Sequence, residues 1–119
     1  MAPIRTSDPF PRRGDVHMVR LDKKRPAIII STEALNRYAL DVCVVPVTGV
    51  EHRKFSLRVP ISAGEAGLRS NSWAKCDQVT TIEKSLLLYP AIGSLSPATL
   101  RKVEESIKLA LELIDDNPA

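Results

Sequence analysis

Hydrophobic and polar positions divide the chain into short extended segments followed by one helical stripe. GDVHMVRL (14–21) alternates weakly and reads as a strand. PAIII (26–30) and LDVCVVPV (40–47) are nearly continuous β-branched runs, as in strands covered on both faces, despite Pro46 in the second. Between them Thr32 is placed to cap one or two helical turns through EALNRY. FSLRV (55–59) alternates strictly, with Phe55, Leu57 and Val59 on one face and Ser56 and Arg58 on the other. Gly64 and Gly67 mark ISAGEAGLRSNS (61–72) as a loop. Further strands are predicted at WAKCDQV (73–79) and around LLLYPAI (86–92).

The last element changes period. Ser96 suits an N-cap and Pro97 the first helical position, after which Leu100, Val103, Ile107, Leu111 and Ile114 fall on one stripe. The predicted class is mostly β with a C-terminal α-helix, a small curved β-barrel with the helix packed on it. Length allows one domain, with residues 1–12 an irregular arm and 13–119 the domain proper. Repeats, low-complexity tracts and internal linkers are absent from the sequence.

Charge adds a direction. Residues 1–60 carry 11 Lys/Arg against 6 Asp/Glu and residues 61–119 carry 6 against 8, which gives net charges of +5 and −2. A cationic half suits a polyanion, although a solvated face explains the same count. No apolar run approaches the roughly 20 residues that cross a bilayer, and the N-terminal stretch lacks the apolar core of a signal peptide. Cys43 and Cys76 stand apart in apolar segments and read as buried free thiols of a cytoplasmic protein.

Common catalytic signatures do not occur. His17 and His52 are too far apart in sequence for a metal motif, and neither a serine elbow nor a phosphate-binding glycine loop is present. His17 reads as a packed strand residue, His52 as solvated. The unusual stretch is KKRPAIIIS (23–31), in which a proline opens a buried strand and fixes Arg25 at its mouth. By itself Arg25 is better explained by a structural salt bridge with Asp22 or Asp77. Trp73, the only tryptophan, reads as a core or dimer-interface residue more readily than as a base-stacking one.

The order of segments carries more. RGDVHMVRLD (13–22), KRPAIIIS (24–31), VVPVTG (44–49), AGEAGL (63–68), CDQVTTIEKS (76–85) and the terminal helix together resemble the MazF/PemK family of toxin–antitoxin ribonucleases over roughly residues 13 to 114. The resemblance implies an SH3-like barrel that forms a homodimer and cleaves single-stranded RNA at a short sequence. It implies no cofactor and no metal, inhibition by a cognate antitoxin that is acidic and partly disordered, and DNA binding together with that antitoxin. It also implies that Arg25 and Thr48 are the catalytic pair, that Asp77 and Gln78 lie beside the cleavage site, and that Lys24 and Lys84 contact phosphate. Two departures stand out: only Lys23 and Lys24 separate Asp22 from Arg25, where relatives carry a longer loop, and Thr80 and Leu86 stand where relatives often have arginines. Alternative readings on the same barrel are a CcdB-like gyrase inhibitor, disfavoured by the DDNPA terminus, and a non-catalytic RNA-binding module.

Overall fold

The computed structural model describes residues 10–51 and 57–113, and all structural statements below refer to these. Residues 1–9 of the arm, His52, the start of FSLRV, Ile114 and the DDNPA terminus lie outside them.

Seven strands form one strongly bent sheet. β1 (Asp15–Arg20), β2 (Lys24–Ile29), β3 (Asp41–Thr48), β4 (Arg58–Ile61), β5 (Ser72–Lys75), β6 (Thr80–Glu83) and β7 (Gly93–Ser94) follow in sequence, with α1 (Glu33–Tyr38) after β2 and α2 (Pro97–Leu111) at the end. All pairings are antiparallel, in the order β4-β5-β3-β2-β1-β7, and β6 pairs with β3 off that path. The architecture is a mostly β half-barrel with a C-terminal helix, in agreement with the fold class read from sequence.

β3 is the hinge of this sheet. Along one edge it pairs with β2; along the other its first half pairs with β6 and its last two residues with β5. Between Val47↔Ala74 and Val44↔Thr80, two residues of β3 face the five-residue stretch 75–79. That is a wide bulge, and it explains Pro46 in a central strand. Ile30 donates to the Cys43 carbonyl at 3.0 Å, so the alternate rungs toward β2 fall at Ile28–Val45 and at Pro26–Val47. Pro46 is therefore on a rung that faces the bulge, where its missing N–H costs no ladder bond.

Both sheet faces bury apolar side chains, as the β-branched runs predict. One face packs Val16, Ile28, Val45, Val47 and Ile61 against Val103 and, more peripherally, Leu100 and Ile107 of α2. The other holds a smaller cluster of Val19, Ala27, Ile29, Val42, Val44 and Leu87. Ser96 caps α2 by accepting from Thr99, and Pro97 opens it, as expected. Of the predicted apolar stripe, Leu100, Val103 and Ile107 pack on the sheet, Leu111 at the end of the helix is 51% exposed, and Ile114 lies outside the described residues.

The strand edges β4 and β7 do not pair. Instead the 3₁₀ turn Glu65–Gly67 closes against β7. A Cβ on Gly93 would lie 2.4 Å from the Ala66 carbonyl carbon, and one on Gly67 would lie 2.0 Å from the Ile92 carbonyl oxygen. Backbone meets backbone there.

Other sequence-based boundaries shift. WAKCDQV is not one strand but β5, the bulge and the approach to β6. LLLYPAI forms no strand: it holds the end of a 3₁₀ turn and a single bridge, Leu87 to Val19. Cys43 is only half-buried whereas Cys76 is fully buried, and both are free thiols.

Candidate active site

The mouth of the β2–β3 pair is set by a proline. The register runs Ile29↔Val44, Ile28↔Val45, Ala27↔Pro46 and stops there. Pro26 has no N–H to donate at the next rung, so the β2–β3 ladder ends there, while Arg25 stays paired with Val19 of β1 and Thr48 with Trp73 of β5. Continuing the register by two residues sets Arg25 opposite Thr48. Alternation places both on the face of Ala27 and Pro46.

Arg25 is exposed, and among the described residues its guanidinium enters no hydrogen bond or ion pair. The salt-bridge alternative with Asp22 or Asp77 is not realised. Thr48 is half-buried, and its Oγ1 accepts from the Val50 amide at 3.2 Å. That contact occupies a lone pair and leaves the hydroxyl proton free to donate outward. Arg58, from β4, donates from Nη1 to the Val50 carbonyl at 2.9 Å. The turn after β3 is thus tied from both sides.

The pair is rigid because its strands are. At the far end of β2 and β3 a buried polar cluster joins them. Asn36, fully buried, donates to the Ser31 carbonyl at 3.0 Å; the Ser31 hydroxyl donates to the Asn36 Oδ1 and accepts from the Cys43 amide at 3.1 Å. Arg13 adds a brace: its Nε donates to the Ile30 carbonyl at 3.0 Å, and its Nη2 meets Glu104 of α2 at 2.6 Å.

The C-D-Q segment is the bulge itself. Asp77 and Gln78 are exposed beside Pro46, about 7 Å along β3 from Thr48. The backbone of Gln78 is held at both ends: its N–H donates to the Lys75 carbonyl at 2.9 Å, and its C=O accepts from the Thr80 hydroxyl at 2.9 Å. Its side-chain amide has no partner among the described residues and is available to read a base edge.

Two expected members lie elsewhere. Lys24 pairs with Arg20, and strand alternation turns it to the face opposite Arg25. Lys84 follows Glu83, the partner of Asp41, whereas Thr48 ends the same eight-residue strand. At about 3.4 Å per residue Lys84 stands roughly 24 Å from Thr48, and partial burial lowers its pKa. Neither lysine joins Arg25 and Thr48 within one protomer.

Three residues join the site that sequence reasoning did not assign to it. Trp73 is the direct cross-strand partner of Thr48, and Lys75 and Arg58 pair on the same face one rung away. The alternation in FSLRV had turned Arg58 outward; only the β3–β5–β4 register brings it beside Thr48. His17 is excluded from the site: it is 1% exposed, its Nδ1 lies 2.9 Å from the Leu88 carbonyl, and its ring meets the Tyr89 edge at 5.0 Å. Among the described residues no three His, Cys, Asp or Glu side chains gather as metal ligands.

Comparison with known proteins gives one consistent answer. Residues 12–111 match the family described as PemK-like, MazF-like toxin of type II toxin-antitoxin system. A Mycobacterium tuberculosis protein named endoribonuclease MazF9 is 33% identical over 115 residues, covering 86% of this chain and 97% of the relative. Among solved structures, the Mycobacterium tuberculosis toxin MazF-mt6 superposes with a TM-score of 0.75 at 31% identity, covering 85% of this chain and 99% of that one. An endoribonuclease from a mycobacterial species, solved in complex with its cognate antitoxin, gives 0.76 at 28% identity over 88% of this chain and 98% of that one.

Proposed function

The chain belongs to the PemK-like, MazF-like toxins of type II toxin–antitoxin systems, and from that membership we propose that it is a sequence-specific endoribonuclease acting on single-stranded RNA. What supports the reading is the β2–β3 register, which, continued past its last pair, sets Arg25 opposite Thr48 on one face of a core-anchored strand pair. RNA brings its own nucleophile, the 2′-hydroxyl. Its attack on the adjacent phosphorus forms the 2′-O–P bond, breaks the P–O5′ bond, and leaves a 2′,3′-cyclic phosphate and a 5′-hydroxyl. The attacking oxygen loses a proton and the leaving oxygen gains one.

Negative charge grows on the non-bridging oxygens as the phosphorus becomes five-coordinate. The Arg25 fork meets two of them, and the free Thr48 proton donates to one. A guanidinium keeps its proton and is a poor base, so Arg25 acts through charge and direction. Gln78 reads an unpaired base with its free amide. No step calls for a metal, because the nucleophile belongs to the substrate.

The acting form is a homodimer, and the inhibitor is an acidic, partly disordered antitoxin segment that competes for the cations RNA uses. Among the described residues no helix is long and apolar enough to cross a membrane. The two free thiols fit residence in a reducing cytoplasm.

The test is cleavage of a long defined transcript in EDTA, with ends mapped by primer extension. Discrete cuts bearing 5′-hydroxyl ends, absent with Arg25→Ala, are expected. Intact RNA together with inhibited DNA gyrase would transfer the chain to the gyrase-poison class.

A further inference from the structure

The sheet register assigns a role to Trp73 that the catalytic pair does not explain. Across one face, four strands present a row: Arg25 on β2, Thr48 on β3, Trp73 on β5 and Pro60 on β4. Neighbouring strands are about 4.8 Å apart, so the indole stands one strand from the hydroxyl and two from the guanidinium. Trp73 is partly exposed, flanked by the flat ring of Pro60, with Lys75 and Arg58 on the adjoining rung. A large aromatic left partly in water beside three cations has the composition of a single-strand nucleic-acid platform, in which bases stack on rings and backbones follow positive charge.

We propose that Trp73 stacks the base of the nucleotide adjoining the scissile phosphate, and that this stacking seats the phosphate on Arg25 and Thr48. Stacking is tolerant of base identity because every base has a π-face. The indole therefore sets the grip on the strand and leaves discrimination to Gln78. This inference rests on the nuclease reading.

Because the chain contains a single tryptophan, its fluorescence reports on this position alone. The probe is an oligoribonucleotide spanning a mapped cut, with 2′-O-methyl at the scissile nucleotide to block cleavage. Titration into the unmodified protein should quench the indole in parallel with binding followed by anisotropy of a labelled oligonucleotide. An abasic substitution at the adjoining nucleotide should remove most of the quench. Trp73→Ala should raise KM about tenfold or more with kcat changed less than about threefold, and Trp73→Phe should recover most of the loss. Binding with an unquenched indole, or a Phe variant no better than Ala, overturns stacking and leaves the nuclease intact. Absence of both binding and cleavage overturns the two together.

Discussion

Arg25 is an exposed cation with no partner among the described residues, so its value lies in what it meets from outside. Arg25→Ala should lower kcat by about 10²–10³, while Tm stays within the range of neutral surface substitutions. Arg25→Lys should restore only part of the rate, because an ammonium is a point charge without a fork. Steady-state cleavage alongside thermal melts checks both. The motif order in the sequence made Arg25 and Thr48 legible; Trp73, Lys75 and Arg58 were not, because they approach Thr48 through long-range pairing. Cys76 is a second residue-scale case. Burial pushes its thiol up to about 11 from 9.0. A raised folded-state pKa contributes stability that is complete below pH 9, where neither state is ionised, and is lost as pH rises toward 11. Chemical denaturation between pH 8 and 11 should show that decline, and Cys76→Ser or Cys76→Ala should flatten it.

At the scale of elements, prolines and glycines decide more than propensity does. Pro26 ends the β2–β3 ladder and Pro46 faces the bulge; both were read from sequence as tolerated in strands, but the openings they permit needed the register. Helix α2 was legible from its cap and stripe, since those signals are local. LLLYPAI misled because an apolar run records burial without recording a ladder: it meets β1 through the Leu87–Val19 bridge and through amides of Leu88 and Ile92 that donate to Met18 and Val16, without forming a strand. The closure between the Glu65–Gly67 turn and β7 was invisible for the same reason. It supplies a sharp test. Gly93→Ala drives a methyl into the Ala66 backbone, which cannot swing aside, and should cost about 3 kcal/mol, near the upper end for overpacking. A melt lower by about 10 °C or more is expected, whereas Gly49→Ala, with open space around its Cβ, should leave Tm within about 2 °C.

For the whole molecule, the charge surplus of the first 60 residues is divided between faces, and sequence counting could not show that. Arg25 and Arg58 share their face with Lys75, whereas Lys24 turns away and Lys84 stands at the other end of β3. If RNA meets the three clustered cations, single-strand counterion release of about 0.7 per phosphate contact predicts roughly twentyfold weaker binding between 50 and 200 mM salt. Lys75→Gln should shallow that slope, and Lys84→Gln should leave it unchanged; anisotropy titrations at several salt concentrations measure both. The knot of Ser31, Asn36 and Cys43 gives the scaffold one last property. β2 and β3 are pinned to each other at that end, while at the other each is held by its outer neighbour, Arg25 by Val19 of β1 and Thr48 by Trp73 of β5. The knot is then what fixes one strand against the other along their length, and a fraction of an ångström of slip there moves the hydroxyl relative to the guanidinium. Asn36→Ala, well away from any RNA, should therefore depress kcat even at temperatures where the variant remains fully folded by circular dichroism.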